Sequence, residues 1–234
     1  MSRMMEEKDS HPISFLVTDD NSHTLYSERF KATYHSNRGA ISESKHVFIQ
    51  NGLQYVHEQF QPKDISVLEV GFGTGLNAFM TYFYSKEKGL RINYQSIEAY
   101  PVPLEDASQL NYIKSFSQQE KIVFYQMHQQ EWNRVGQISD SFSLTKYLCL
   151  LEEFNTQYQF DIIYFDAFSP SEQPELWTET VFKKMYDLLH PNGVLVTYCA
   201  QGQMKRNMKQ AGFKVKALPG FGSKREMTRG EKIY

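Results

Sequence analysis

The chain has 234 residues, 41 % of them hydrophobic and 15 % aromatic, with a formal charge of −2, which allows one substantial core and excludes two full ones. Two cysteines, Cys149 and Cys199, and seven histidines without ligand spacing exclude a disulfide framework, provide no metal site and point to a reducing compartment. No run reaches the ~18 apolar residues of a membrane span, and MSRMMEEKDSHP is acidic with no long apolar stretch, so neither membrane nor secretory signal is expected and the protein reads as cytoplasmic.

Residues 13 to 41 alternate apolar and polar positions around Asp19, Asp20, Asn21 and Gly39, which predicts hairpins. Val47, Phe48, Leu53 and Val56 then predict a helix from Ser42 to about Phe60, stopped by Pro62. These elements form an extension, 1–62, ahead of a main domain, 63–234. VLEVGFGTG, Val67 to Gly75, runs from a β-branched strand into three glycines, and LNAFMTYFYSKEKG continues at helical spacing. RINYQSIEAY predicts a second strand, PLEDASQLNYI a second helix and KIVFYQMH, Lys121 to His128, a third strand. SLTKYLCLLEEF reads as a helix, QFDIIYFDAF as a fourth strand, TETVFKKMYDLLH as a helix, GVLVTYCA as a fifth strand and GQMKRNMKQAGF as a last helix. Such alternation predicts an α/β fold with a mostly parallel sheet and right-handed crossovers.

Ligands in such sheets lie beyond the carboxyl ends of the strands. Gly71, Gly73 and Gly75 permit a sharp turn and close approach of a ligand to backbone N–H groups, with the following helix N-terminus aimed at it. The turn serves dinucleotides as well as S-adenosylmethionine, and a turn with no ligand is a further alternative. GxGxG spacing, and Glu69 two residues before the first glycine, favour a cationic ligand over a pyrophosphate. Glu98 stands 23 residues beyond Gly75, where an acid accepts ribose hydroxyls; a surface glutamate is the alternative. DAFSPSEQPELW places Asp166 at the end of a buried strand, with Phe168, Pro170 and Trp177 available to stack a base. A helix-capping Asp166 and ordinary core aromatics are the competing readings. From Gly202 to Tyr234 nine bases face two acids, a balance of +7 that leaves −9 for the first 201 residues. A phosphate-binding end or a solvated tail both fit this.

The chain resembles the methyltransferase part of the bacterial tRNA 5-methylaminomethyl-2-thiouridine biosynthesis proteins, in its stand-alone form. The matching stretches are YHSNRGAISESKHVFIQNGL, EVGFGTGLN, IEAYPV, FDAFSPSEQPELW and AGFKVKALPGFGSKREM, which run from the extension to the tail. The resemblance implies a class I S-adenosylmethionine-dependent methyltransferase with a Rossmann-like, mostly parallel seven-stranded sheet. It implies methyl transfer to the exocyclic amine of 5-aminomethyl(-2-thio)uridine at the tRNA wobble position. Glu69, Gly71, Gly73, Gly75, Asn77, Glu98 and Ala99 would bind the cofactor, Asp166 would be catalytic, and Lys224 and Arg225 would contact tRNA. No fused flavin oxidase is expected in this chain. Relatives carry Gly-Asp after strand three to hold adenine, where this sequence has Met127 and His128.

An alkylammonium with a pKa of about 10 costs ~4 kcal/mol to deprotonate at pH 7, and an aspartate near 4 is too weak a base to supply that. Asp166 is therefore expected to orient the amine while water takes the proton, unless burial raises its pKa. Two rivals share the fold: an aminopropyltransferase of the spermidine-synthase type and a non-catalytic RNA-binding module with a relic pocket. A nicotinamide enzyme is disfavoured by Glu69.

Overall fold

The computed structural model describes residues 13–114 and 116–233; the acidic opening stretch read above for a signal lies outside the described residues. Three short antiparallel strands come first: β1 (Ile13–Val17), β2 (His23–Ser27) and β3 (Ala32–Thr33). A helix follows over 40–60, regular at Ala40–Ser44 and Tyr55–Phe60 and wound in π-type turns over Lys45–Gln54. Val47, Phe48, Leu53 and Val56 are buried. A Cβ on Gly52 would stand 3.0 Å from the Val196 side chain, so the helix backbone approaches the sheet there as only glycine allows.

Eight strands form the main sheet, in the order β10-β11-β9-β8-β4-β5-β7-β6. Its parallel centre comprises β4 (Asp64–Val70), β5 (Arg91–Glu98), β7 (Phe142–Leu148), β8 (Phe160–Phe165) and β9 (Leu189–Thr197). β6 (Val135–Ser139) and the β10 (Lys214–Pro219) and β11 (Glu226–Glu231) hairpin run antiparallel at the two edges. The expected seven strands are present, and β6 adds an eighth. β4, β8 and β9 are apolar on both faces because helices cover both sides, as parallel sheets require.

Three elements depart from the sequence reading. KIVFYQMH is part of a helix, Gln118–Gln129, not a third strand. Ser117 and Glu120 form a reciprocal capping box at its start, and Val123, Phe124 and Met127 bury one helical face. SLTKYLCLLEEF is not a helix: Phe142–Leu148 is the strand that pairs with β5. PLEDASQLNYI shrinks to one turn, Leu104–Ala107, and a 3₁₀ turn, Asn111–Ile113.

Candidate active site

β4 and β8 are neighbours near the middle of the sheet, so the turn after one and the residue after the other meet. Gly71 has φ +93°, and a Cβ there would stand 2.8 Å from the Asp166 carbonyl oxygen. Gly73 and Gly75 also hold positive φ. Gly75 is the N-cap of the helix Leu76–Lys88, and no side chain caps it, which leaves N–H groups of the first turn directed at the cavity.

That cavity, of about 760 Å³, is lined by the residues following β4, β5, β7 and β8 and by the β3–helix connection. Gly71, Gly73, Asn77, Glu98, Ala99, Asp166, Phe168 and Lys224 all line it. The Glu98 carboxylate accepts the N–H of Gly73 at 2.9 Å and that of Tyr100 at 2.8 Å, and burial raises its pKa. The Asp166 carboxylate accepts Asn77 Nδ2 at 2.8 Å. Burial first, and then the nearby Glu43 charge, push the Asp166 pKa from 3.8 up to about 7. Burial thus raises the carboxyl, the exception allowed for in the sequence reading, to where a group can exchange a proton near neutrality.

Glu69 does not face the cavity. It is fully buried behind Asn77, accepting Asn77 Nδ2 at 3.1 Å and Ser96 Oγ at 2.8 Å. Desolvation raises its pKa well above the usual carboxylate range, so the charge argument for a cationic ligand does not rest on Glu69. It holds Asn77, whose amide bridges two acids while Oδ1 accepts Ser44 Oγ at 2.6 Å.

Met127 and His128 belong to the helix behind the turn, and neither lines the cavity. His128 Nε2 donates to the Thr74 carbonyl at 3.1 Å, and Lys146 Nζ, 1 % exposed, donates to the His128 carbonyl at 2.7 Å. Burial pulls these two pKa values down to about 4 and about 8. The pair supports the glycine turn from outside. Beyond β7 the cavity is instead walled by Cys149, Leu150, Leu151 and Glu152, with Lys184 Nζ donating to the Leu151 and Glu152 carbonyls.

The aromatics divide. Trp177, 3 % exposed, packs on Phe165 and donates Nε1–H to the Phe168 carbonyl at 2.8 Å; it shapes the loop from below and offers no stacking face. Pro170 lies outside the lining. Phe168 lines the cavity, but Phe30 of the β2–β3 turn stacks on it at 4.4 Å, with Tyr34 edge-on at 5.1 Å. Arg225 is exposed and outside the cavity, whereas Lys224 pairs with Glu43 at 2.9 Å. Glu43, Tyr34, His35, Tyr198 and the Leu150–Glu152 wall were not singled out from sequence. Glu43 stands at the cavity only because the extension helix packs there.

The residues fit a nucleotide-like donor with a cationic centre. Gly71 and Gly73 leave a cradle free of side chains, while Gly75 faces His128 and Phe72 and lies outside the lining; Glu98 offers oxygens at the flank, and Asn77 and Asp166 close one end.

The family model described as S-adenosyl-L-methionine-dependent methyltransferase matches residues 114–233. The tRNA 5-methylaminomethyl-2-thiouridine biosynthesis bifunctional protein MnmC of Cupriavidus metallidurans is 32 % identical over 97 % of this chain and 34 % of its own length. Its namesake from Actinobacillus pleuropneumoniae is 30 % identical over 94 % of this chain and 35 % of its own length. The chain therefore spans about a third of the curated relatives it matches. Among solved structures, MNMC2 from Aquifex aeolicus superposes with TM-score 0.74 at 23 % identity, covering 95 % of this chain and 71 % of that one. Spermidine synthase from Thermotoga maritima gives TM-score 0.53 at 13 % identity over 95 % of this chain and 79 % of its own. At these identities both likenesses concern the fold.

Proposed function

We propose that this chain, which belongs to the S-adenosyl-L-methionine-dependent methyltransferase family, methylates the exocyclic primary amine of 5-aminomethyl(-2-thio)uridine at the wobble position of tRNA. The observation that carries this reading is the buried carboxylate of Asp166, set against the glycine turn in one cavity and raised to about 7. The names of the relatives, tRNA 5-methylaminomethyl-2-thiouridine biosynthesis proteins, supply the acceptor.

S-adenosylmethionine, when bound, supplies an electrophilic methyl on a sulfonium. The backbone at Gly71 and Gly73, free of side chains, would leave room for its amino-acid end, Glu98 would hold its ribose, and the Cys149–Glu152 wall, rather than Met127 and His128, its adenine. Asn77 fixes Asp166 Oδ2, and Asp166 accepts a proton from the incoming ammonium. The remaining mismatch between a base near 7 and an amine of about 10 costs ~4 kcal/mol. Apolar walls reduce it, since desolvation favours the neutral amine. Arg225, Lys209 and Lys214 are exposed and carry no ion pair among the described residues, and they would meet tRNA phosphates. An aminopropyltransferase would need acids where Phe168, Ser169 and Pro170 stand.

Mass analysis of nucleosides from tRNA carrying 5-aminomethyluridine, incubated with the protein and methyl-labelled S-adenosylmethionine, tests the reading. A gain of one labelled methyl on that nucleoside is expected. Label on another nucleoside, or none, overturns it.

A further inference from the structure

Two lysines line the cavity: Lys184, held by the Leu151 and Glu152 carbonyls, and Lys224, which stands with the acids. Lys224 Nζ donates to Glu43 Oε1 at 2.9 Å and lies 4.1 Å from the centre of the Tyr198 ring. Each partner is held without help from Lys224. The side chain of Glu43 is 7 % exposed, and Oε2 accepts the Ser36 N–H at 2.8 Å. The Tyr198 hydroxyl donates to the Ala167 carbonyl at 2.8 Å, one residue from Asp166. A fixed carboxylate beside a fixed aromatic face recognises a primary alkylammonium. The end of a lysine, –CH₂–NH₃⁺, is the same group as a protonated 5-aminomethyl substituent.

Resting on the function proposed above, we infer that Glu43 and Tyr198 form the docking site of the acceptor's ammonium, and that Lys224 is its resting occupant, exchanged for the acceptor when tRNA binds. With Oε2 taken by the Ser36 N–H, Oε1 and the Tyr198 face form one position, so an ammonium that uses both must displace Lys224 from it. The exchange leaves the charge at Glu43 unchanged. Lys224 sits on the 220–225 connection between β10 and β11 with its side chain 39 % exposed, and its flexible stem can swing to a phosphate without backbone movement. Without an occupant, Glu43 would stand buried and unpaired beside Asp166, a costly arrangement.

The test uses the full chain with S-adenosylmethionine and two anticodon stem-loops of identical sequence, one carrying 5-aminomethyluridine and one plain uridine. The readout is the ratio of their dissociation constants. Glu43→Gln, which keeps the shape, should lower this preference about ten-fold, the worth of a hydrogen bond to a charged group, while donor affinity stays unchanged. Lys224→Met removes the competitor and should raise the preference several-fold. A lysine acting only as a phosphate contact would weaken both stem-loops equally on removal and leave the ratio fixed. Unchanged ratios in both variants, with the wild type still methylating the amine, overturn the exchange and leave the function standing; no methylation by the wild type defeats the function itself. If Glu43→Gln does not fold, the Lys224→Met ratio decides alone.

Discussion

Two opposing demands meet in Asp166. The fold buries it, which favours the protonated form, and Asn77 donates to it, which favours the charged form; burial wins, as the rise to about 7 records. Its folded pKa lies above its unfolded value, so the site is most comfortable at low pH and loses stability as pH climbs from about 4 through about 7. Asp166→Asn removes that penalty. Thermal unfolding should show the variant stabilised by about 2–4 kcal/mol at pH 8 and unchanged at pH 3.5, while methyl transfer collapses. Donor affinity should change far less than turnover if Asp166 acts on the acceptor as proposed. In the wild type, the single-turnover rate should rise with pH through the pKa of Asp166, which a bound sulfonium draws below 7 by opposite charge.

At the scale of elements, the glycine turn is fixed from both sides. Asp166 backbone crowds Gly71 within, and His128 crowds Gly75 without. Gly71→Ala combines left-handed strain of roughly 1–3 kcal/mol with a 2.8 Å approach to a carbonyl. Calorimetry should detect loss of donor binding, and a melt should show a lower midpoint. The three-stranded extension also works on the site. Its β2–β3 turn lays Phe30 on Phe168 and sets Arg29 over the Tyr100 ring, so it walls one side of the cavity, the side where the proposed acceptor would enter. Truncation by Phe30→Ala removes an aromatic pair worth about 0.5–1.5 kcal/mol. The KM for tRNA should rise about 2- to 10-fold with donor affinity unchanged; an equal loss in donor affinity would place Phe30 elsewhere in the mechanism.

Across the whole molecule, the +7 of the last 33 residues is mostly spent internally. Lys205 pairs with Glu226, Lys216 and Arg229 with Glu231, Lys224 with Glu43, and Lys232 donates to the buried Tyr186 and Leu189 carbonyls. Arg206, bonded only to the neutral Gln203 side chain, and the exposed Lys209, Lys214 and Arg225 remain for phosphate. Four phosphate contacts give a slope of about −3 to −4 in log affinity against log salt, and Lys224 adds about one more where it leaves Glu43 for a phosphate. A slope near −6, the value the composition suggests, would mean that the internal pairs open on binding.

The sequence by itself determined the strand-turn-helix and the placement of Asp166. Both are local: glycine takes those dihedrals without strain, and a strand buried on both faces is mostly apolar until it ends. It also carried the Ser117–Glu120 cap, but the alternation in KIVFYQMH obscured the i, i+3, i+4 face of Val123, Phe124 and Met127. Lys146 made β7 look unlike a strand, since nothing local announces that a lysine will be buried against Phe72 and Trp132. Only the tertiary structure decided that Glu69 turns inward to Asn77, that Trp177 lies beneath the loop, and that Glu43 and Lys224, 181 residues apart, meet beside Asp166. Those outcomes depend on which face of a doubly covered sheet a side chain takes and on which distant helix packs over it, and neither is written in the spacing of neighbouring residues.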